Sequence, residues 1–286
     1  MRTLLSLACL AALTGCAIII APGEDVRLAT AFSKEVVIGN GQITTERRPV
    51  SALASLEVNG SVQMDVRVGD QPSLQVETDS NLLPLVRTEI RGSTLKVWIE
   101  GSYNSRHGVR VTYTTPQLNQ IVSSGSGRLV VNNLNGGALT FSKDGSGESR
   151  LSGRVSALNL QLNGSGDINA EALQSSGNAN LNLTGSGRVN VGNLSADAVN
   201  VNVRGSGELL ASGAANHLNA NLVGSGGANL GRLASQRADL KSNGSGDMSA
   251  RVASSLVAST TGSGRITVYG NPAERTITGK NVDVRN

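Results

Sequence analysis

The sequence predicts an all-β chain folded as a right-handed parallel β-helix (β-solenoid), with about 20 residues per coil. Three observations lead there. The triplet Gly-Ser-Gly occurs eight times, starting at residues 125, 145, 164, 185, 205, 224, 244 and 262, in steps of 18 to 21 residues. Around the triplets apolar residues alternate with polar ones, the period of a strand with one buried face. Aromatic residues are 2% of the chain and charged residues 16%, while glycine numbers 35, so the core is narrow and built from small aliphatic side chains.

Residues 1–15 read as a lipoprotein signal peptide: Arg2 supplies the positive charge and residues 4–13 the apolar core. The core runs into Leu13-Thr14-Gly15-Cys16, which resembles the bacterial lipobox. By that resemblance Thr14 and Gly15 fit the signal peptidase and the Cys16 sulfur receives lipid. Two other readings stand beside it. Residues 4–21 approach the ~20 apolar residues that span a membrane as an uncleaved helix, and Cys16 as an ordinary thiol is the other. Cleavage would discard Cys9 and leave one cysteine, with no disulfide, a count that lipidation explains. Several acyl chains anchor stably where a single chain is marginal. Ala17 stands where an aspartate favours inner-membrane retention in enteric bacteria, so the expected address is the outer membrane. Residues 16–35 then form a lipidated N-terminus and tether, broken at Pro22-Gly23-Glu24-Asp25.

Residues 36–286 read as a single solenoid domain with two textures. From 36 to 122 the β pattern is less regular. Val62, Met64, Val66 and Val68 alternate cleanly before a turn at Gly69-Asp70, and Leu95, Val97, Ile99 and Val109, Val111, Tyr113 continue the pattern. Ser80-Asn81-Leu82-Leu83-Pro84 predicts a short helical turn. From 123 to 286 each unit reads as strand, Gly-Ser-Gly corner, strand and loose return. The two glycines admit positive φ and close backbone approach, and each serine hydroxyl bonds either its own turn or the serine of the next coil, the latter giving a ladder; an exposed hydroxyl array that binds a ligand is the lesser reading. Segment 49–122 is expected to cap one end and Tyr269-Gly270-Asn271-Pro272 with its tail the other. Uncovered ends would invite self-association.

The residue after each triplet forms a column of Arg128, Glu148, Asp167, Arg188, Glu208, Gly227, Asp247 and Arg265. Opposite charges become neighbours at most steps, which sets register more than stability. Glu148 beside Asp167 breaks the alternation and is a weak surface carboxylate pair, a candidate calcium site or acid/base pair set against the plainer reading of two solvated side chains. Other chemistry is sparse. His107 and His217 lack the partners of a zinc site, no triad stands behind a Gly-x-Ser-x-Gly elbow, and the triplets lack the Gly-Lys-Ser/Thr ending of a phosphate loop. No cofactor is expected. Without residues 1–15 the count is 24 basic against 21 acidic residues, too balanced and too dispersed for a nucleic-acid partner.

Gly39-Asn40-Gly41, Arg47-Arg48-Pro49-Val50-Ser51, Leu56-Glu57-Val58-Asn59-Gly60 and Asn81-Leu82-Leu83-Pro84 follow in an order that, with the Gly-Ser-Gly series, resembles the head GIN domain family of auto-transporter adhesins. Gly92-Ser93-Thr94-Leu95 and Pro116-Gln117-Leu118 extend the resemblance, which runs from about residue 36 to the C-terminus. Ser51-Ala52-Leu53-Ala54-Ser55 departs from it, lacking the usual aromatic at the first strand. The resemblance implies a β-helical envelope protein and supplies no catalytic residues. The expected function is a non-enzymatic, lipid-anchored binding or scaffold module that meets an envelope polysaccharide or a surface protein. The alternative is a carbohydrate-active β-helix enzyme, which would need clustered carboxylates beside aromatic platforms. Only Trp98, Tyr103, Tyr113 and Tyr269 could supply those platforms.

Overall fold

Alternation in the sequence becomes inward columns in space. The computed structural model describes residues 36–286; the signal peptide, Cys16 and the tether lie outside the described residues. In the strands flanking each corner every second side chain turns inward. Before the corner, Leu160, Leu181, Val201, Ala220, Leu240 and Ala258 stand in parallel register on consecutive coils. After it, Ile168, Val189, Leu209, Ala228, Met248 and Ile266 do the same. None of these is more than 3% exposed. Each buried aliphatic side chain contributes up to about 1.5–3 kcal/mol, so the columns replace the aromatic bulk the chain lacks. The architecture is the all-β solenoid that the repeats predict.

Both glycines of a corner are crowded by the coil beneath, and the first is also held at positive φ. Gly185 sits at φ +119°, where a side chain is strained, whereas Gly187 has ordinary backbone angles. A Cβ on Gly187 would overlap the carbonyl oxygen of Gly166 in the coil beneath it. Coils therefore approach closely enough for Gly185 O to accept two hydrogen bonds, from Ser206 N at 3.0 Å and Gly207 N at 2.9 Å. The same doubled bond recurs at Gly145, Gly164, Gly205 and Gly224. The expected serine ladder is largely absent: Ser263 Oγ donates to Ser245 Oγ at 3.1 Å, the one such hydroxyl pair among the described residues. Backbone amides of the corner take the role assigned to hydroxyls, because removing two Cβ atoms lets N–H reach C=O directly.

The returns are also tighter than expected. Arg188–Gly205, Glu208–Gly224, Gly227–Gly244 and Asp247–Gly262 each run as one strand from corner to corner. Their return segments pair as well, Ala196 with Ala215 and Ala215 with Ser235. Bulges and positive-φ residues, Asn193 at +52° and Gly213 at +127°, absorb the bend. Inward Leu173, Leu194, Leu233 and Val252 make the return a third core wall. Short Ala, Ser and Gly side chains look like loop composition, yet they are what lets the return pack this closely.

The irregular segment builds a closed end. Ser55–Asn59 and Gln63–Val68 form a coil whose corner is Gly60-Ser61, and Gly127 N bonds Gly60 O at 3.2 Å as in the later corners. The next coil in the chain, Thr94–Ile99 with Arg110–Thr115, stacks on the opposite side of it. Gln120–Ser124 then returns to the first side. Antiparallel strands cover the outermost coil: Ser73–Asp79 lies against Arg110–Thr115, Ile43–Arg48 against Ser73–Asp79, and Val86–Arg91 against Thr94–Ile99. The predicted helical turn is a single 3₁₀ turn at Leu83–Leu85. At the other end the tail adds a coil where a cap was expected. Glu274–Thr278 and Val282–Arg285 stack in parallel on their predecessors, joined through Gly279 at φ +100°.

Candidate functional site: the outward faces of the solenoid

With inner positions filled by aliphatics and corners by backbone contacts, chemistry is left to outward side chains. On the post-corner face the predicted charge column is real in register. Glu148 partners Asp167, Asp167 partners Arg188, and Arg188 partners Glu208. Arg188 and Glu208 approach to 3.4 Å and Arg128 and Glu148 to 3.8 Å, all more than a third exposed. Such pairs contribute about 0–1 kcal/mol.

Glu148 and Asp167 are thus brought side by side one coil apart. Glu148 also accepts a hydrogen bond from Arg150 Nε at 2.7 Å, so its carboxylate lies between two guanidinium groups. Among the described residues no group of three or more His, Cys, Asp or Glu is placed to hold a metal ion. Arg128, Arg150, Ser152, Asn169 and Glu171 border a shallow cleft of about 550 Å³ on this face. Its walls offer paired charges and amides to a polar ligand.

The two histidines lie apart. His217 faces outward on a return, in register with Ala198 and Arg237. His107 borders a polar knot at the closed end, which centres on Asp79. That side chain is 1% exposed, accepts from Gly41 N at 2.6 Å and from Ser105 Oγ, and lies where a Cβ on Gly39 would stand. Gly39-Asn40-Gly41 is therefore the backbone clasp of a buried carboxylate. The Ser105 hydrogen bond, ahead of the Gly41 amide, holds the Asp79 carboxyl below its ordinary value. Ser105 Oγ in turn accepts from His107 N and Gly108 N, which leaves the hydroxyl fully engaged in structure.

Two features escaped the sequence reading. Lys143 is inward and fully buried, at a position where other coils carry Leu162, Leu183 and Val203. Neither its Nζ nor the buried Ser149 Oγ has a hydrogen-bond partner. Burial alone lowers the lysine's proton affinity. Strict alternation counted back from Gly145 would have found it. The second feature is a set of outward asparagines on the pre-corner strands, whose Asn-x-Asn spelling recurs at 180–182, 200–202 and 219–221.

Comparison with known proteins agrees with this architecture. A family model described as "Putative auto-transporter adhesin, head GIN domain" matches residues 52–209 and 174–272. The fold is similar to that of a solved structure titled putative lipid binding protein from Parabacteroides distasonis ATCC 8503. That match has 23% identity and TM-score 0.67, covering 88% of this chain and 100% of that one. It is also similar to a putative adhesin from Parabacteroides merdae ATCC 43184, at 21% identity and TM-score 0.67, over 87% of this chain and 99% of that one. Such identities speak for the shared fold. No curated protein matches the chain. Because the family model extends from the first coil beyond the last Gly-Ser-Gly corner, the chain belongs to the head GIN domain family of auto-transporter adhesins.

Proposed function

We propose that this protein is a non-enzymatic, lipid-anchored envelope module that uses the outward faces of its solenoid for binding or adhesion. The observation that carries the reading is the division of labour within each coil. Inner columns and corner glycines are committed to the frame, and the outward side chains repeat along it as extended polar faces. Membership of an adhesin family supports a binding role in the cell envelope. Leu13-Thr14-Gly15-Cys16 supports attachment through lipid on Cys16, and Ala17 supports the outer membrane as its destination. The ligand on this reading is an envelope polysaccharide or a surface protein.

The test combines address with activity. Cys16→Ser should move the protein from the membrane fraction to the soluble envelope fraction. Proteinase treatment of intact cells should remove the wild-type domain if it faces outward and spare it if it faces the periplasm. A deletion strain should lose attachment to surfaces or neighbouring cells. Unchanged fractionation of Cys16→Ser would overturn the anchor, and unchanged attachment would overturn the adhesive role.

A further inference from the structure

The pre-corner face carries two parallel columns of asparagine. Asn180, Asn200 and Asn219 stand in register on consecutive coils, and Asn182, Asn202 and Asn221 form a second column two residues along. Their side chains bond from coil to coil. Asn200 Nδ2 donates to Asn180 Oδ1 at 2.8 Å, and Asn219 Nδ2 to Asn200 Oδ1 at 3.0 Å. In the second column Asn202 Nδ2 donates to Asn182 Oδ1 at 3.1 Å. All six are outward and at least partly exposed.

A carboxamide has two N–H donors and two acceptor lone pairs. The ladder engages one of each on Asn200, leaving one N–H and one lone pair for another molecule. Ladder bonds hold the amides in place, so a ligand meets donors and acceptors that are already ordered. The pattern repeats about every 4.8 Å along the axis, with the columns roughly 6.6 Å apart across it. None of the six side chains ionises, in contrast with the Arg and Glu column of the post-corner face.

We propose that this asparagine face binds a neutral polysaccharide bearing acetamido groups, an inference that rests on the reading of the protein as an envelope binding module. An acetamido group presents one N–H and one carbonyl, the complement of what Asn200 leaves available. A polymer repeats that pair along its length, as the face does. A polyanion would surrender hydration at the uncharged amides, with Arg204, Lys241 and Asp239 standing only at the margins of the face, and its natural place would be beside Arg128 and Arg150.

The experiment titrates the full-length chain in detergent micelles with a hexamer of β-linked N-acetylglucosamine, and with the matching glucose hexamer, at low and high salt. The double variant Asn182→Thr, Asn202→Thr keeps strand preference, and far-UV circular dichroism reports its folding. Asn182→Asp with Asn202→Asp is a second pair should the first misfold. Arg150→Ala with Arg188→Ala alters the other face. The expected result is saturable binding of the acetamido hexamer, insensitive to salt. It should weaken about tenfold in the asparagine variants, the loss of roughly one net hydrogen bond at each site, and hold in the arginine variant. Equal binding of the glucose hexamer, undiminished binding by the asparagine variants, or no binding of the acetamido hexamer overturns the assignment. Binding that follows the arginines and falls with salt overturns it too, while leaving the adhesive role intact. The attachment phenotype of the deletion strain tests that role separately.

Discussion

The closed end and the regular coils are built on one geometry with different contents. Both stack parallel strands around glycine corners, and Gly127 meets Gly60 much as Gly207 meets Gly185. The closed end buries Tyr113 and Met64 and adds antiparallel strands that cover its last coil. The regular coils dispense with the antiparallel strands and, Phe141 and Met248 apart, line their core with smaller aliphatic side chains, relying on similar neighbours above and below. Regularity substitutes for bulk, at the cost of intolerance to any added atom where backbones touch.

Breaking the corner should produce the largest effect. Gly185→Ala places a side chain at positive φ and drives its Cβ into the backbone of the coil beneath. A loss of about 3 kcal/mol or more is expected in urea denaturation. At the closed end, Gly60 has positive φ but a Cβ there would meet nothing within 4 Å. Gly60→Ala should therefore cost only the conformational part, about 1–2 kcal/mol. Equal losses at the two corners would show that backbone crowding is not what distinguishes the regular coils.

Lys143 sharpens the comparison from the opposite direction, because it violates the regular pattern. Lys143→Met should stabilise the domain by about 1–3 kcal/mol near neutral pH, since an unpaired buried amine is exchanged for an apolar side chain of similar length. Burial lowers its proton affinity from the ordinary value of 10.5. Between that lowered value and 10.5 the unfolded chain binds more protons than the folded one, so wild-type stability should rise with pH through this window. The Met variant should lack that rise. Thermal melts of both proteins between neutral pH and pH 10 check it, and parallel curves would rule it out.

At the closed end the buried ionisable group is held by partners. Asp79→Asn should destabilise by less than Gly185→Ala, with the loss concentrated in amide exchange of residues 36–48 and 73–79. The sign with pH is the same as for Lys143, because both folded-state values are lowered, but the window lies at acid pH. The carboxyl is held below its ordinary 3.8 by Ser105 and Gly41, so its contribution is complete above that value and fades as pH falls through the folded one. Acid melts of wild type and Asp79→Asn should converge at low pH. Smallest of all, Arg188→Ala in the exposed charge column should change stability by less than about 1 kcal/mol, and less again in high salt.

Much of the regular region could be read from its residues, because each coil repeats the same local argument. Leu158-x-Leu160-x-Leu162 states its inward face without help from tertiary structure, and Gly-Ser-Gly marks its own turn. The closed end resisted for a physical reason. Alternation in Val62–Val68 and Val109–Tyr113 is the same whether the strands pair parallel or antiparallel, and it carries no information about which coil lies outermost. The returns misled because Ala, Ser and Gly serve loops and tight packing equally well. Of the candidate surface, the adjacency of Glu148 and Asp167 followed from repeat spacing alone. So did Arg128 beside Glu148, its predecessor in the column, whereas Arg150 did not, since it reaches Glu148 along one strand. The asparagine columns were spelled out in the sequence, but their meaning depends on side chains bonding between coils.

The exchanged order of the first two coils bears on how the protein is assembled. The coil of residues 55–68 is laid down first, yet it ends with neighbours on both of its sides. Chain order and stacking place it to act as a seed, with a coil added first toward the closed end and the rest one by one the other way. Once Gln120–Ser124 has docked, each later coil needs only the one before it as a template. Synthesis from the N-terminus therefore delivers the template before the copy, and a chain emerging into the envelope could zip up behind its own closed end.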